Sequence, residues 1–201
     1  MYAKSKKPAC LIIGFCLLAQ LIIVSSVDAR RWISTTQQAN NAFEYAMGYV
    51  TNQVAYRLGG RLSLTEYAEA LAQGKEPGTD IGVDSSAVVL NSYRHHIPNI
   101  RFWGNEAQTS TFADVSSSAL YHYNSQPLAK EQLVPGDLIF FKNTADRIIG
   151  VGLFSHMQGS VIHFIVASAN AGQVIITNAN TNGAYWRDHF AGFGRLQYTV
   201  N

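Results

Sequence analysis

The polar residues able to do chemistry fall in a few short segments: Asp84-Ser85-Ser86, the Pro135-Gly136-Asp137 turn, His163 inside an apolar run, and the Asn-rich stretch around Asn178. Asp84, Ser85 and Ser86 suit the start of a helix, where side-chain oxygens take up free backbone N–H groups. The same position offers Ser85 as a nucleophile, provided a base removes its proton during attack, because a serine hydroxyl is a far weaker acid than a thiol. His163 reads either as that base or as a buried histidine with its ring hydrogen-bonded. Asn178 orients such a base or merely builds a turn, with Asn180 as its competitor.

Other chemistries find little support. Cys10 and Cys16 both lie close to the N-terminus, in the segment ending at Ala29, so the remainder has no thiol for catalysis, disulfides or metal binding. His95 and His96 are adjacent, and His122 and His156 lack partners at ligand spacing; no metal and no cofactor is implied. Trp103, Tyr185 and Trp186 read as core or cleft wall.

Residues 1–29 read as a secretory signal, with Lys4, Lys6 and Lys7 ahead of an apolar stretch and Val27-Asp28-Ala29 at its end. It is either cleaved or kept as an anchor, the only membrane contact expected. Without Lys4, Lys6, Lys7 and Asp28, acidic and basic residues balance. No basic run is left to neutralise phosphates, which argues against nucleic acid as a partner. A periplasmic or cell-surface location follows, with residues 30–201 as one domain.

Three helices should position Ser85. Phe43, Met47, Val50 and Val54 recur at helical spacing behind an N-cap at Ser34 or Thr35. Ser63-Leu64-Thr65-Glu66 is a capping box whose helix stops at Gly74. A third helix starts at Asp84 or Ser85 and ends near Tyr93. Strands are predicted over 137–142, 161–167, 173–177 and 196–200, whereas 97–130 shows no clear period. Helices first and strands later imply an α+β domain with N-terminal helices packed on an antiparallel sheet.

Tyr56-Arg57-Leu58-Gly59-Gly60, Asp84-Ser85-Ser86-Ala87, Leu133-Val134-Pro135-Gly136-Asp137-Leu138-Ile139-Phe140-Phe141 and His163, in this order, resemble the NlpC-type cell-wall peptidases. These are papain-like enzymes that cut the peptide stems of peptidoglycan. The resemblance covers roughly residues 43 to 180. It implies a papain-like fold and peptidoglycan stem peptides as the partner. It puts Ser85 at the catalytic Cys position, His163 at the general base and Asn178 at the third polar residue. Tyr56, Asp84 and Ser86 fall where the family holds the substrate's amino end. Two stretches look like insertions: a helix between Gly60 and Gly82, and residues 146–159. The replacement of Cys by Ser points to a non-catalytic binder. The alternatives are an active endopeptidase or amidase using Ser85 and His163, and an interaction protein with a decayed cleft.

Overall fold

The structure is a computed structural model describing residues 30–201; the segment read as a secretory signal falls outside them. Helix α1 (Thr36–Thr51) is capped by Thr35, whose hydroxyl accepts from Gln38 N while the Gln38 side chain accepts from Thr35 N. Its buried stripe is Ala39, Ala42, Ala46 and Tyr49. The bulkier Phe43, Met47 and Val50 flank that stripe, because small residues allow the closest approach to the layer beneath. Helix α2 (Leu64–Ala72) carries the expected capping box between Ser63 and Glu66. Hydrogen bonds from the Ser63 backbone and hydroxyl hold the Glu66 carboxyl below its ordinary range. Helix α3 (Ser85–Arg94) is capped by Asp84, and α4 (Ser117–Tyr123) and α5 (Ala184–His189) are short.

Nine strands complete the fold of the described residues: β1 (Trp32–Ile33), β2 (Ile100–Trp103), β3 (Thr111–Phe112), β4 (Ser125–Leu128), β5 (Leu138–Lys142), β6 (Ile148–Gln158), β7 (Val161–Ser168), β8 (Gln173–Asn180) and β9 (Phe190–Val200). They form one sheet in the order β3-β2-β9-β5-β6-β7-β8, with β1 and β4 also paired to β9. Every ladder between these strands is antiparallel. This is the expected α+β architecture, with α1 and α3 packed on the sheet.

Each face of the sheet has its own core. On the helix side, Tyr49, Val88, Leu90 and Tyr93 meet Phe140, Leu153, Ile165 and Leu196. On the other side, Ile139, Phe141, Phe154, Ile162 and Phe164 pack with Trp186 of α5. Trp103 and Trp186 are buried, and Tyr185, though exposed, lines a cleft with Phe141, Phe164 and Asn178, as core or cleft wall.

Residues 148–158, which lie in the stretch read from sequence as an insertion, form β6 between β5 and β7. The consecutive residues from Val151 to Phe154 are all buried there. A strand covered on both faces loses the alternation that marks a half-exposed one. The first strand after the Pro-Gly-Asp turn's own is therefore β6, and β7, which carries His163, is one strand further on.

The turn itself is fixed by backbone geometry. Gly136 has φ +92°, and an added Cβ would lie 1.9 Å from Ala39 O, so α1 approaches the turn too closely for any other residue.

Candidate functional site

Ser85 sits at the first turn of α3, presented by a compact backbone crossing. Arg57 N donates to Val83 O and Val83 N to Ala55 O, both at 3.0 Å, while Asp84 N donates to Gly60 O at 3.0 Å. The Tyr56 and Arg61 segments thus both bridge to Val83 just before the helix. The Gly-Gly pair is explained by this crossing: a Cβ on Gly60 would lie 2.3 Å from Gly82 O. Asn91 locks the other side, donating at 3.0 Å to the carbonyls of both Arg61 and Leu62.

Tyr56, Asp84, Ser85 and Ser86 come together along one cleft of about 200 Å³. Its far wall is Ser116, Ser117 and Ser118, at the start of α4, and Ile148 and Ile149, at the start of β6. The Ser85 hydroxyl lies 3.3 Å from that of Ser117, and a Cβ on Gly150 would be 3.8 Å from Ser85 Oγ. Among the described residues no histidine lines this cleft.

His163 and Asn178 stand elsewhere, and the strand registers show why. Helix α3 starts over Gly150, and at its other end the Tyr93 hydroxyl donates to Gly136 O at 3.0 Å. Gly136 N in turn donates to Phe154 O, so α3 runs along β6 from Gly150 toward Phe154. His163 pairs with His156, beyond Phe154, and Asn178 pairs with His163. Along β6 from Gly150 to His156, at about 3.3 Å per residue and less a bulge, the separation is roughly 15–20 Å. The general-base and orienting roles expected of His163 and Asn178 toward Ser85 fail on this distance, and Asn180 lies on the same far end of β8. His163 is instead stacked on His156, ring centroids 4.3 Å apart and planes nearly parallel at 6°, with its Nε2 buried and without a protein partner among the described residues. Where a base would have to stand, on the strand facing Ser85, the residue is Gly150, which has no side chain, preceded by Ile148 and Ile149 of the cleft wall.

One oxygen of Asp84 is already occupied. Oδ1 accepts from Arg61 Nη1 at 2.7 Å, from the Ser86 hydroxyl at 2.8 Å and from Ala87 N at 2.9 Å. Arg61 Nη1 also donates to Ser86 Oγ at 2.6 Å, and Arg61 Nε pairs with Asp114 at 2.9 Å. Sequence reasoning passed over Arg61; its signal was a cation directly after Gly59-Gly60. Among the described residues no cluster of three or more histidine, cysteine or acidic side chains could hold a metal ion. Nor is any helix there long and apolar enough to cross a membrane.

The NlpC/P60 family profile matches residues 53–195, from before the Tyr56 segment to the middle of β9. The chain belongs to the NlpC/P60 family. This is a family of cell-wall hydrolases acting on peptidoglycan peptides, and the helices on an antiparallel sheet are its papain-like fold. A curated relative, the gamma-DL-glutamyl hydrolase of Bacillus subtilis (strain 168), is 36% identical over 81 residues. That stretch is 39% of this chain and 17% of the relative. Among solved structures, Ly7917 with the hydrolysing product of MDP is similar at TM-score 0.39 and 10% identity, over 83% of this chain and 62% of that one. Ly7917 alone is similar at TM-score 0.40 and 11% identity, over 81% and 61%. Superpositions this partial add nothing to the family assignment. Within the NlpC/P60 frame, the strand after the Pro-Gly-Asp strand is where the family pattern sets its histidine. Here that strand is β6, and it opens on isoleucine.

Proposed function

We propose that this protein is an exported, cell-envelope member of the NlpC/P60 family that binds peptidoglycan stem peptides without hydrolysing them. In this reading Ser85 replaces the family's catalytic cysteine. The observation that carries it is the cleft around Ser85, which supplies hydroxyls and two isoleucines but, among the described residues, no imidazole. A serine without a base cannot be activated for attack, and a helix N-terminus alone does not substitute for one. What is kept is what binding needs: the Tyr56, Asp84 and Ser86 corner, hydroxyl donors and acceptors from α3 and α4, and apolar contact from Leu58, Ile148 and Ile149. The name of the curated relative concerns a γ-glutamyl bond, which favours a γ-glutamyl-containing stem peptide as the ligand. The signal-like N-terminal segment, from its lysines to Ala29, supports action outside the cytoplasm.

Thermal or denaturant unfolding in the presence of a purified stem peptide tests the binding half. A ligand of the folded state at a hundredfold excess over its dissociation constant adds about 2.7 kcal/mol of stability. Alanine at Tyr56 or Ser86 should reduce that gain. A transition that stays put at millimolar peptide would contradict the reading and favour a decayed cleft.

A further inference from the structure

Among the described residues Asp84 is the only carboxylate lining the cleft around Ser85, and so the only group there that would attract an ammonium. It does not stand free. The Arg61 guanidinium lies against it and against Ser86, and Asp84 Oδ1 already accepts from three donors. Oδ1, with that many partners, has little left to offer a ligand, so an ammonium would have to reach the other oxygen against the repulsion of the guanidinium beside it. Asp114, the other carboxylate on Arg61, holds the guanidinium from outside the cleft; the two side chains are similarly exposed, at 46% and 38%, so water screens both charges. The Arg61 backbone is not free to swing away, since Asn91 holds its carbonyl and Arg61 bridges to Val83.

We propose that Arg61 determines the specificity of this cleft: it occupies the cation position beside Asp84 and Ser86, so the cleft accepts peptides whose amino end is acylated and excludes those ending in a free ammonium. An amide carbonyl at that end accepts hydrogen bonds from a guanidinium and carries no charge for it to repel. The ligand class is then a stem peptide still amide-linked through its amino end, as it is before release from the glycan. This inference rests on the peptide-binding reading given above.

The test is a calorimetric or NMR titration of the wild-type protein, Arg61→Ala and Arg61→Gln with L-Ala-γ-D-Glu-L-Lys and with its N-acetylated form. The wild type should bind the acetylated peptide a few-fold more tightly than the free amine, the scale of a like-charge contact partly screened at a guanidinium 38% exposed. Arg61→Ala should lose or reverse that preference by freeing Asp84. Arg61→Gln keeps hydrogen-bonding groups for Asp84 and Ser86 without the charge; it should behave likewise, and it carries the test if the alanine variant does not fold. A wild type that prefers the free amine, or a preference unchanged in the folded Arg61 variants, would overturn the role of Arg61 while leaving peptide binding intact. Failure of all three proteins to bind either peptide would instead overturn the peptide-binding reading, and this inference with it.

Discussion

Ser85→Cys alone is expected to leave the protein without peptidase activity, whereas Ser85→Cys combined with Gly150→His should create a reactive thiolate. A thiol becomes a nucleophile at neutral pH when a neighbouring imidazolium or helix N-terminus lowers its pKa from about 8.5. In the Ser85→Cys variant the helix contribution is present, but Asp84 lies next door and no histidine among the described residues lines the cleft. Its alkylation by iodoacetamide should therefore follow a pH profile within about one unit of a free thiol's. A Cβ on Gly150 would stand 3.8 Å from Ser85 Oγ, so an imidazole there is placed to hold the proton. The double variant's alkylation midpoint should fall by about one unit or more, with roughly tenfold faster labelling at pH 6. If Ser85→Cys by itself already alkylates with a midpoint below about pH 7, a base is within reach of residue 85 and the reading of this site is wrong.

The second large effect concerns stability. Asp137 is fully buried, accepting from Arg195 Nε at 2.9 Å and Nη2 at 2.8 Å and from Val134 N at 2.8 Å. Hydrogen bonding to Asp137 in turn raises the pKa of Arg195, whose side chain is only 19% exposed. Removing one member of such a pair strands the other, at a cost of about 3–5 kcal/mol. For a domain of this size, Asp137→Ala should lower the unfolding midpoint by roughly 10 °C or more. Asp137→Ala with Arg195→Met should recover much of the loss, because the uncompensated charge goes with the arginine. Asp146→Ala, which removes the exposed partner of Lys142, should shift the midpoint by no more than a degree or two. Equal losses for Asp137→Ala and the double variant would show that the ion pair is not what holds the turn.

These expectations separate what local sequence can show from what only the assembled sheet reveals. Helix starts were legible because caps are local: Thr35 with Gln38, Ser63 with Glu66, and Asp84 with Ala87 each close within a single helical turn. The Pro135-Gly136-Asp137 turn was legible for the same reason, and with it the family resemblance. Strand β6 was not. Its two covered faces and its glycines, Gly150 and Gly152, erase period-two alternation, and residues 146–159 therefore read as an insertion. That misplacement moved the histidine position one strand along, onto His163, a residue that fits the order of motifs but stands at the wrong end of the sheet. Strands β2, β3 and β4 are very short, set by pairing with β9 or with each other. No local period can announce them. Arg61 was missed because its partners, Asp84 and Asp114, are distant in sequence and meet it only once the α3 and α4 ends of the cleft are assembled.

The most direct measurement is mass spectrometry of purified muropeptides incubated with the wild-type protein, begun at Arg30, at enzyme concentrations comparable to substrate, beside Ser85→Ala. The account predicts that every muropeptide mass is unchanged with either protein. New products from the wild type that are absent with Ser85→Ala would contradict it, and would establish Ser85 as a working nucleophile on a cleft that supplies its base by some other route.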